Sequence, residues 1–337
     1  MPLTNFPGGI SSFGIPVLGG ASIPFTGKYF FVDPVNGSDG NTGLKPSKAL
    51  ATLYKAYSKT TSGNNDVVFL IGNGASTGTA RLSKANAILT TATATTGTLT
   101  WANDATHLIG IAAPTLNSRA RIAPTSTDTI TLFGSGNFFI LSGNGCLFQN
   151  IAMYNGFATG GASEICMTVS GGRNAFVSCS FQGMGDSGSA ATTTGRSLLV
   201  TGSTGENTFI GCTIGLDTVP RSTGASEIEF ASNSARNRFY NCSIETCSAA
   251  GADFWVKIGA VGIDRYVLFN NCTFTNPTAS GATTLTTGFS VNASPGGIPL
   301  LQNCMAIGAT AIDTAGKTYS NLGTATTSGT KGVAASA

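Results

Sequence analysis

Residues able to do chemistry are sparse here, because 337 residues hold only 15 Asp and Glu, 18 Lys and Arg, and one His. The densest group is Glu227, Glu229, Asp253, Trp255 and Lys257, with Glu164 further upstream. Two carboxyls about 5–5.5 Å apart suit a retaining glycosidase and about 6.5–9.5 Å an inverting one; an i, i+2 pair on a strand, or neighbours on adjacent strands, supplies such a gap. The same residues have a plainer use, since Lys257 can neutralise the glutamates in a ladder on the surface or at a subunit interface. Most other carboxylates stand singly in turns. No catalytic residue is therefore favoured, and Glu227, Glu229 and Asp253 stand as candidates only.

Asp33, Asn36, Ser38 and Asp39 offer oxygen ligands at a spacing calcium accepts. Asx and Ser residues so placed more often hydrogen-bond their own turn, so no metal is favoured and no cofactor is expected. His107, with Asp104 nearby, lacks a nucleophile context and reads as a turn or core histidine. The stretch GNGASTG at 72–78 lacks the lysine of a phosphate loop. The 8 cysteines include no CxxC pair. Those that recur at a regular step (Cys179, Cys212, Cys242, Cys272) read as buried free thiols, which fits folding in a reducing compartment.

The elements that position these residues come from a repeat. CLFQNIAM, AFVSCSFQ, TFIGCTIG, RFYNCSIE, LFNNCTFT and LLQNCMAI share one pattern between residues 146 and 307. Phe148, Phe176, Phe209, Phe239, Phe269 or Leu301 is followed three residues later by Ile151, Cys179, Cys212, Cys242, Cys272 or Cys304, and the cysteine steps are 33, 30, 30 and 32 residues. That period is one coil of a solenoid. The residue before the Ile/Cys position is Asn150, Ser178, Gly211, Asn241, Asn271 or Asn303, as a single left-handed residue at a tight bend requires. Stacked asparagines can pair their amides about 4.8 Å apart, which points to a parallel β-helix. A second strand lies upstream in each coil, and its apolar pairs Ile165/Met167, Leu198/Val200 and Ile228/Phe230 sit at minus 14 and minus 12 from the cysteine. If those face inward, Glu227 and Glu229 face out.

Composition agrees with an all-β chain: 45 Gly, 10% charged and 9% aromatic residues suit a solenoid with small residues at its corners. The scattered net charge of +3 gives no footprint for nucleic acid or an anionic membrane. Residues 1–26 lack a positive leader region, and Pro and Gly break every apolar stretch, so they read as an extended arm rather than a signal peptide or a span. Its apolar pegs are Phe6, Ile10, Phe13, Ile15, Val17 and Leu18. Residues 27–60 read as a strand, an Asx-rich loop and a helix started by Pro46 and Ser47, with Leu50, Leu53, Tyr54 and Tyr57 on one face, covering the open end of the bore. Residues 61–307 form the coils, and 308–337 a Gly, Ala, Thr and Ser-rich tail.

The segment FFVDPVNGSDGNTGLKPSKALATLYKA, followed by VVFLIGNG at 67–74, resembles the opening of pectate-lyase-like right-handed β-helix proteins, in which a V-D-x-x-x-G-S-D-x-x-x-G loop precedes the capping helix. With the arm PLTNFPGGISSFGIPVLGG it resembles bacteriophage virion proteins of that fold. The resemblance implies a single-stranded right-handed β-helix and a homotrimer docked on capsid or tail proteins of a phage particle, assembled in the bacterial host cytoplasm. Some such proteins carry a glycan-cleaving flank: lyases gather Asp around calcium with an Arg or Lys base, and tailspike hydrolases turn carboxylates into one groove. The scarcity of carboxylates favours a structural decoration, head-fibre or tailspike protein docked through residues 1–26, in contact with host surface polysaccharide at most. A tailspike-type depolymerase is the alternative. A secreted lyase is disfavoured because no leader is recognisable.

Overall fold

Three parallel ladders wind around one apolar bore. The computed structural model describes residues 26–72, 98–113, 120–123, 137–155, 165–183, 193–221, 224–277, 283–313 and 315–320, with the backbone of 11–12 and 15–16. In chain order the coils contribute strands to an upstream 7-stranded sheet (Leu99–Trp101 to Phe289–Val291), to a 10-stranded sheet (Tyr29–Val32 to Tyr319–Ser320) and to a downstream 7-stranded sheet (Arg121–Ile122 to Met305–Ile307). Every rung pairs in parallel with the next, as in the coils at Phe209 and Phe239. This is the right-handed parallel β-helix the sequence leads one to expect. Its downstream strands, such as Arg121–Ile122, Ala152–Tyr154 and Ser243–Glu245, have 2 or 3 residues each, too few for alternation to show in sequence.

The repeated aromatic is the spine. Phe148, Phe176, Phe209, Phe239, Phe269 and Leu301 fall opposite one another in the 10-stranded sheet and are buried in the bore. The Phe176 and Phe209 rings stack at 4.5 Å and 7°, and Phe209 and Phe239 at 4.4 Å and 1°, a separation close to the strand step itself. The bend that follows is left-handed in these six coils, with φ of 54° at Asn150, 52° at Ser178, 59° at Gly211, 53° at Asn241, 54° at Asn271 and 52° at Asn303. Asn271 Nδ2 donates to Asn241 Oδ1 at 2.7 Å, one rung of the amide ladder, whereas Asn150 Nδ2 donates to the carbonyls of Gly110 and Ala112. Each ladder thiol then donates to the carbonyl of the spine residue one coil below, Cys212 to Phe176 at 3.5 Å and Cys242 to Phe209 at 3.6 Å. All 8 cysteines are free and buried, and burial pushes the Cys146 thiol up to about 11 and the Cys166 thiol still higher.

Three details differ from what the sequence implies. Ile165 does not fill the bore with Leu198: Met167 falls opposite Leu198 and Val169 opposite Val200, while Ile165 falls opposite Arg196. The turn at 170–174 is shorter than its counterpart at 201–207 by an even number of residues, which shifts the alignment yet keeps the inward parity. The capping helix is split. Pro46–Lys48 forms one 3-10 turn, Leu50 leaves it to bridge Val32, and a helix restarts only at Leu53–Tyr57, with Thr52 as its N-cap. Leu50, Leu53 and Ala56 are buried, but Tyr54 is exposed. Finally, the 10-stranded sheet ends on Tyr319–Ser320, inside the segment read as tail. Of the arm, Ser11–Ser12 pairs antiparallel with Ile15–Pro16; Phe6, Ile10, Phe13, Val17 and Leu18 lie outside the described residues, as does the side chain of Ile15.

Candidate functional site

The upstream sheet turns two columns of side chains away from the bore. One runs Ile140, Thr168, Leu199, Glu229, Lys257 and Ser290, the other Phe138, Cys166, Ser197, Glu227, Trp255 and Gly288. In the first, Glu229 forms an ion pair with Arg196 and lies 3.8 Å from Lys257 Nζ. Arg196 is held in turn by the carbonyls of Thr193 at 3.0 Å and Gly195 at 2.6 Å. A ladder with Lys257 therefore exists, but its main cation is Arg196, one coil below.

Glu227 does not belong to that ladder. It points out of the bore as alternation requires, yet it is fully buried beneath the turn that leads into its own strand. That turn lays Arg221 against it, also with no exposed surface, and the two form an ion pair. Ser197 Oγ donates to Glu227 Oε2 at 2.6 Å, and the guanidinium also donates to Thr246 Oγ1 at 2.9 Å and the Gly183 carbonyl at 3.2 Å. Gly215, at φ 107°, makes room: a Cβ there would lie 2.8 Å from Glu227 Cδ and collide with the Glu245 carbonyl. Burial pushes the Glu227 carboxyl up to about 7 against the pull of Arg221.

Asp253 is buried too. It accepts from Ser248 Oγ at 2.6 Å and from the Ala225 N–H at 3.1 Å, tying two turns together, and burial raises its pKa. Trp255, directly after Glu227 in its column, is buried as well, with Nε1 donating to the Thr275 carbonyl at 3.0 Å. So the structure brings Glu227 and Asp253 into one polar cluster with Arg221, Ser197, Thr246 and Ser248, and leaves Glu229 with Arg196 and Lys257 outside it. Glu164 lies outside the described residues. A buried carboxyl that titrates near neutrality beside a second raised carboxyl is the raw material of acid–base chemistry. A glycan, however, can touch neither.

The remaining candidates are spent on local structure. Asp33 accepts from the N–H groups of Val35 and Asn36, both at 3.0 Å, and from Asn36 Nδ2 at 3.1 Å. Asp39 accepts from the N–H groups of Ala51 and Thr52 at 3.0 and 2.9 Å and from the Thr52 hydroxyl at 2.8 Å, so it pins the loop to the helix cap. Among the described residues no three His, Cys, Asp or Glu side chains converge as a metal group would need. His107 is buried; Nδ1 accepts the Leu147 N–H at 3.0 Å, standing in for a ladder carbonyl, and burial pushes its pKa down to about 4. Asp104 instead accepts from the Asn144 N–H at 2.7 Å. Outside these, Glu206 bridges Arg173 and Arg236 on an exposed edge, and with Thr208 and Arg238 lines a shallow open pocket.

No family model matches the chain, and no curated protein matches it. Solved structures do. A pectate lyase, Pel9A, is 14% identical with a TM-score of 0.58 over 88% of this chain and 68% of its own. A rhamnogalacturonan lyase is 16% identical with a TM-score of 0.52 over 85% and 69%. The pectin methylesterase PemA from Erwinia chrysanthemi is 15% identical with a TM-score of 0.50 over 86% and 80%. At such identities the likeness is one of fold: the parallel β-helix is shared with enzymes that act on polysaccharides.

Proposed function

We propose that this chain is a non-enzymatic structural component of a bacteriophage virion, a trimeric β-helical decoration, fibre or spike protein docked through residues 1–26. The observation that supports this reading is how the flank uses its carboxylates. Glu229 is neutralised by Arg196 and Lys257, while Glu227 and Asp253 are sealed under turns, so among the described residues of this flank no accessible pair spans a groove where a sugar could lie. Charge in the described flank is used to hold coils and turns together. The virion context is carried by the resemblance of the arm and of the V-D-x-x-x-G-S-D loop to such proteins. The test is to express the chain without residues 1–26 alongside particles lacking their own copy. We expect a folded, soluble protein that no longer joins the particle; incorporation at the level of the intact chain rejects arm docking.

A polysaccharide-cleaving enzyme is the second reading, favoured by one observation, the Glu227 carboxyl poised at about 7 beside Asp253. Intact protein incubated with host capsule or lipopolysaccharide separates the two. We expect no release of reducing ends and no unsaturated product. Release by the intact protein that disappears in the Glu227→Gln variant, assayed at a temperature where that variant keeps the far-ultraviolet spectrum of the intact protein, replaces the structural reading with this one.

A further inference from the structure

Three successive coils place Arg173, Glu206 and Arg236 above one another at the entry to the 10-stranded sheet, with left-handed φ of 58°, 59° and 48°. Glycine takes that conformation freely, whereas long side chains do so at a cost. Two ion pairs use them, because Glu206 is bridged by Arg173 at 2.8 Å and by Arg236. That staple is complete without Arg238, which stands two residues beyond Arg236, is exposed, and pairs with no carboxylate among the described residues. The corner thus sets three guanidiniums against one carboxylate, a net +2 in a chain whose whole net charge is +3.

Arg238 is also held in place. Between Ala235 and Asn237 the register against the next strand slips, so that Arg265 and Tyr266 share the place opposite Arg236. Such a bulge re-aims a side chain. The Tyr266 hydroxyl accepts from Arg238 Nη2 at 2.9 Å, and its ring centre lies 6.0 Å from the guanidinium carbon. Tyr266 thereby occupies one donor of the planar fork and fixes the plane of the others. Thr208, opposite Arg238 in the ladder, adds a hydroxyl, and Glu206, Thr208, Arg236 and Arg238 line a pocket of about 230 Å³.

Glu206 decides what kind of anion suits this pocket. A bare inorganic anion that approaches Arg236 and Arg238 also faces this carboxylate, which the Arg236 and Arg173 guanidiniums hold below its ordinary pKa and so keep ionised. A ligand with hydroxyls beside its negative group meets both needs: the oxyanion takes the guanidiniums and the hydroxyls donate to Glu206. The volume is below the ~300 Å³ at which drug-sized sites begin, so it admits one small unit of that kind. We propose that this pocket binds a single acidic sugar residue, its carboxylate or phosphate on Arg238 and Arg236 and its hydroxyls on Glu206 and Thr208. It lies on a different sheet from Glu227 and Glu229 and involves no bond cleavage. The proposal stands independently of the virion reading, since it concerns only this corner of the solenoid.

The test titrates the full chain with glucuronate, glucose 6-phosphate, glucose and sodium sulfate at matched ionic strength, read by calorimetry and by ligand-observed magnetic resonance. At least one of the two acidic sugars is expected to bind about tenfold or more tightly than glucose and than sulfate, and the tighter of them names the anion. Arg238→Gln is expected to weaken that binding about tenfold or more, as loss of a charge-assisted contact requires. Arg238→Lys should recover only part of it, because an ammonium lacks the fork. Glu206→Gln should narrow the margin of the acidic sugar over sulfate, which a merely basic patch would not show. Because that change can loosen the staple between coils, Thr208→Val gives a second reading of the same margin, with an unchanged far-ultraviolet spectrum as the check on folding. Failure of both acidic sugars to bind, sulfate binding as tightly as they do, an Arg238→Gln variant of unchanged affinity, or a margin untouched in both Glu206→Gln and Thr208→Val overturns the proposal. None of these outcomes bears on arm docking, which particle incorporation tests separately.

Discussion

Arg221 has no exposed atom and its charge is met by one carboxylate, Glu227. Removing either partner leaves the other buried and uncompensated, so Arg221→Met is expected to cost about 3–5 kcal/mol in urea unfolding, and Arg221→Met with Glu227→Gln clearly less than the sum. The pair also sets a pH dependence that opposes that of His107. The folded Glu227 carboxyl holds its proton up to about 7 while the unfolded one releases it near 4.5, so the native state binds more protons in between and its contribution is lost as pH rises through that window. His107 has the reverse sign. Its folded pKa of about 4 lies below the unfolded 6.5, so the unfolded state binds more protons and stability is lost as pH falls from 6.5 to 4. Each effect is worth about 3 kcal/mol at most. Relative to the intact protein, His107→Gln should therefore gain stability on going from pH 7 to 4.5, and Glu227→Gln should lose it from pH 6.5 to 4. Denaturation midpoints at four pH values check both signs, and slopes of the same sign in the two variants contradict the assignment.

At the scale of the element, the sequence revealed whatever repeats along a line. The spine Phe, the left-handed Asn and the thiol recur at one period, so they are readable as a column from the order of residues alone. A second column repeats at the same period five residues before the cysteine: Asn174, Asn207 and Asn237 are buried, and Asn207 Oδ1 accepts the Asn174 N–H at 3.0 Å while Asn237 Oδ1 accepts the Asn207 N–H at 3.1 Å. Its signal was present in RNAF, ENTF and RNRF, hidden because the residue before each Asn, at Arg173, Glu206 and Arg236, takes a left-handed φ that such side chains rarely adopt. The ion pairs carry the same signature, since Arg196 to Glu229 and Arg173 to Glu206 each span 33 residues. What alternation cannot show is whether a turn folds over an outward residue, and that is why Glu227 and Asp253 read as surface groups. Asn207→Ala removes the partner of a buried N–H and of the Gly171 carbonyl, so it should cost about 1–3 kcal/mol for each group left unsatisfied. A loss below about 0.5 kcal/mol in chemical denaturation would mean that water fills the gap and the ladder is dispensable.

For the whole molecule, the bore makes stability nearly one-dimensional, because each coil touches chiefly the coil above and the coil below. The ends are then the weak points, and the chain guards the first with the helix Leu53–Tyr57, which packs on the strands Tyr29–Val32 and Val67–Ile71 and drops Leu53 and Ala56 into the bore. Tyr57 extends this plug inward, its ring 4.6 Å from Trp101 and its hydroxyl accepting the Ala102 N–H at 2.8 Å. Two large-to-small changes of similar chemistry should therefore act differently. Leu53→Ala, at about 2–5 kcal/mol of lost packing, opens only the end, so amide exchange should speed up in Tyr29–Val32 and Val67–Ile71 and stay slow in later coils. Phe209→Ala, at about 3–5 kcal/mol, breaks a stack with rings on both sides, so the loss should centre on Ala175–Val177 and Ser234–Tyr240 and fade in both directions. Exchange that accelerates equally in every coil for both variants would show a single cooperative unit, and the nearest-neighbour account of this solenoid would fall.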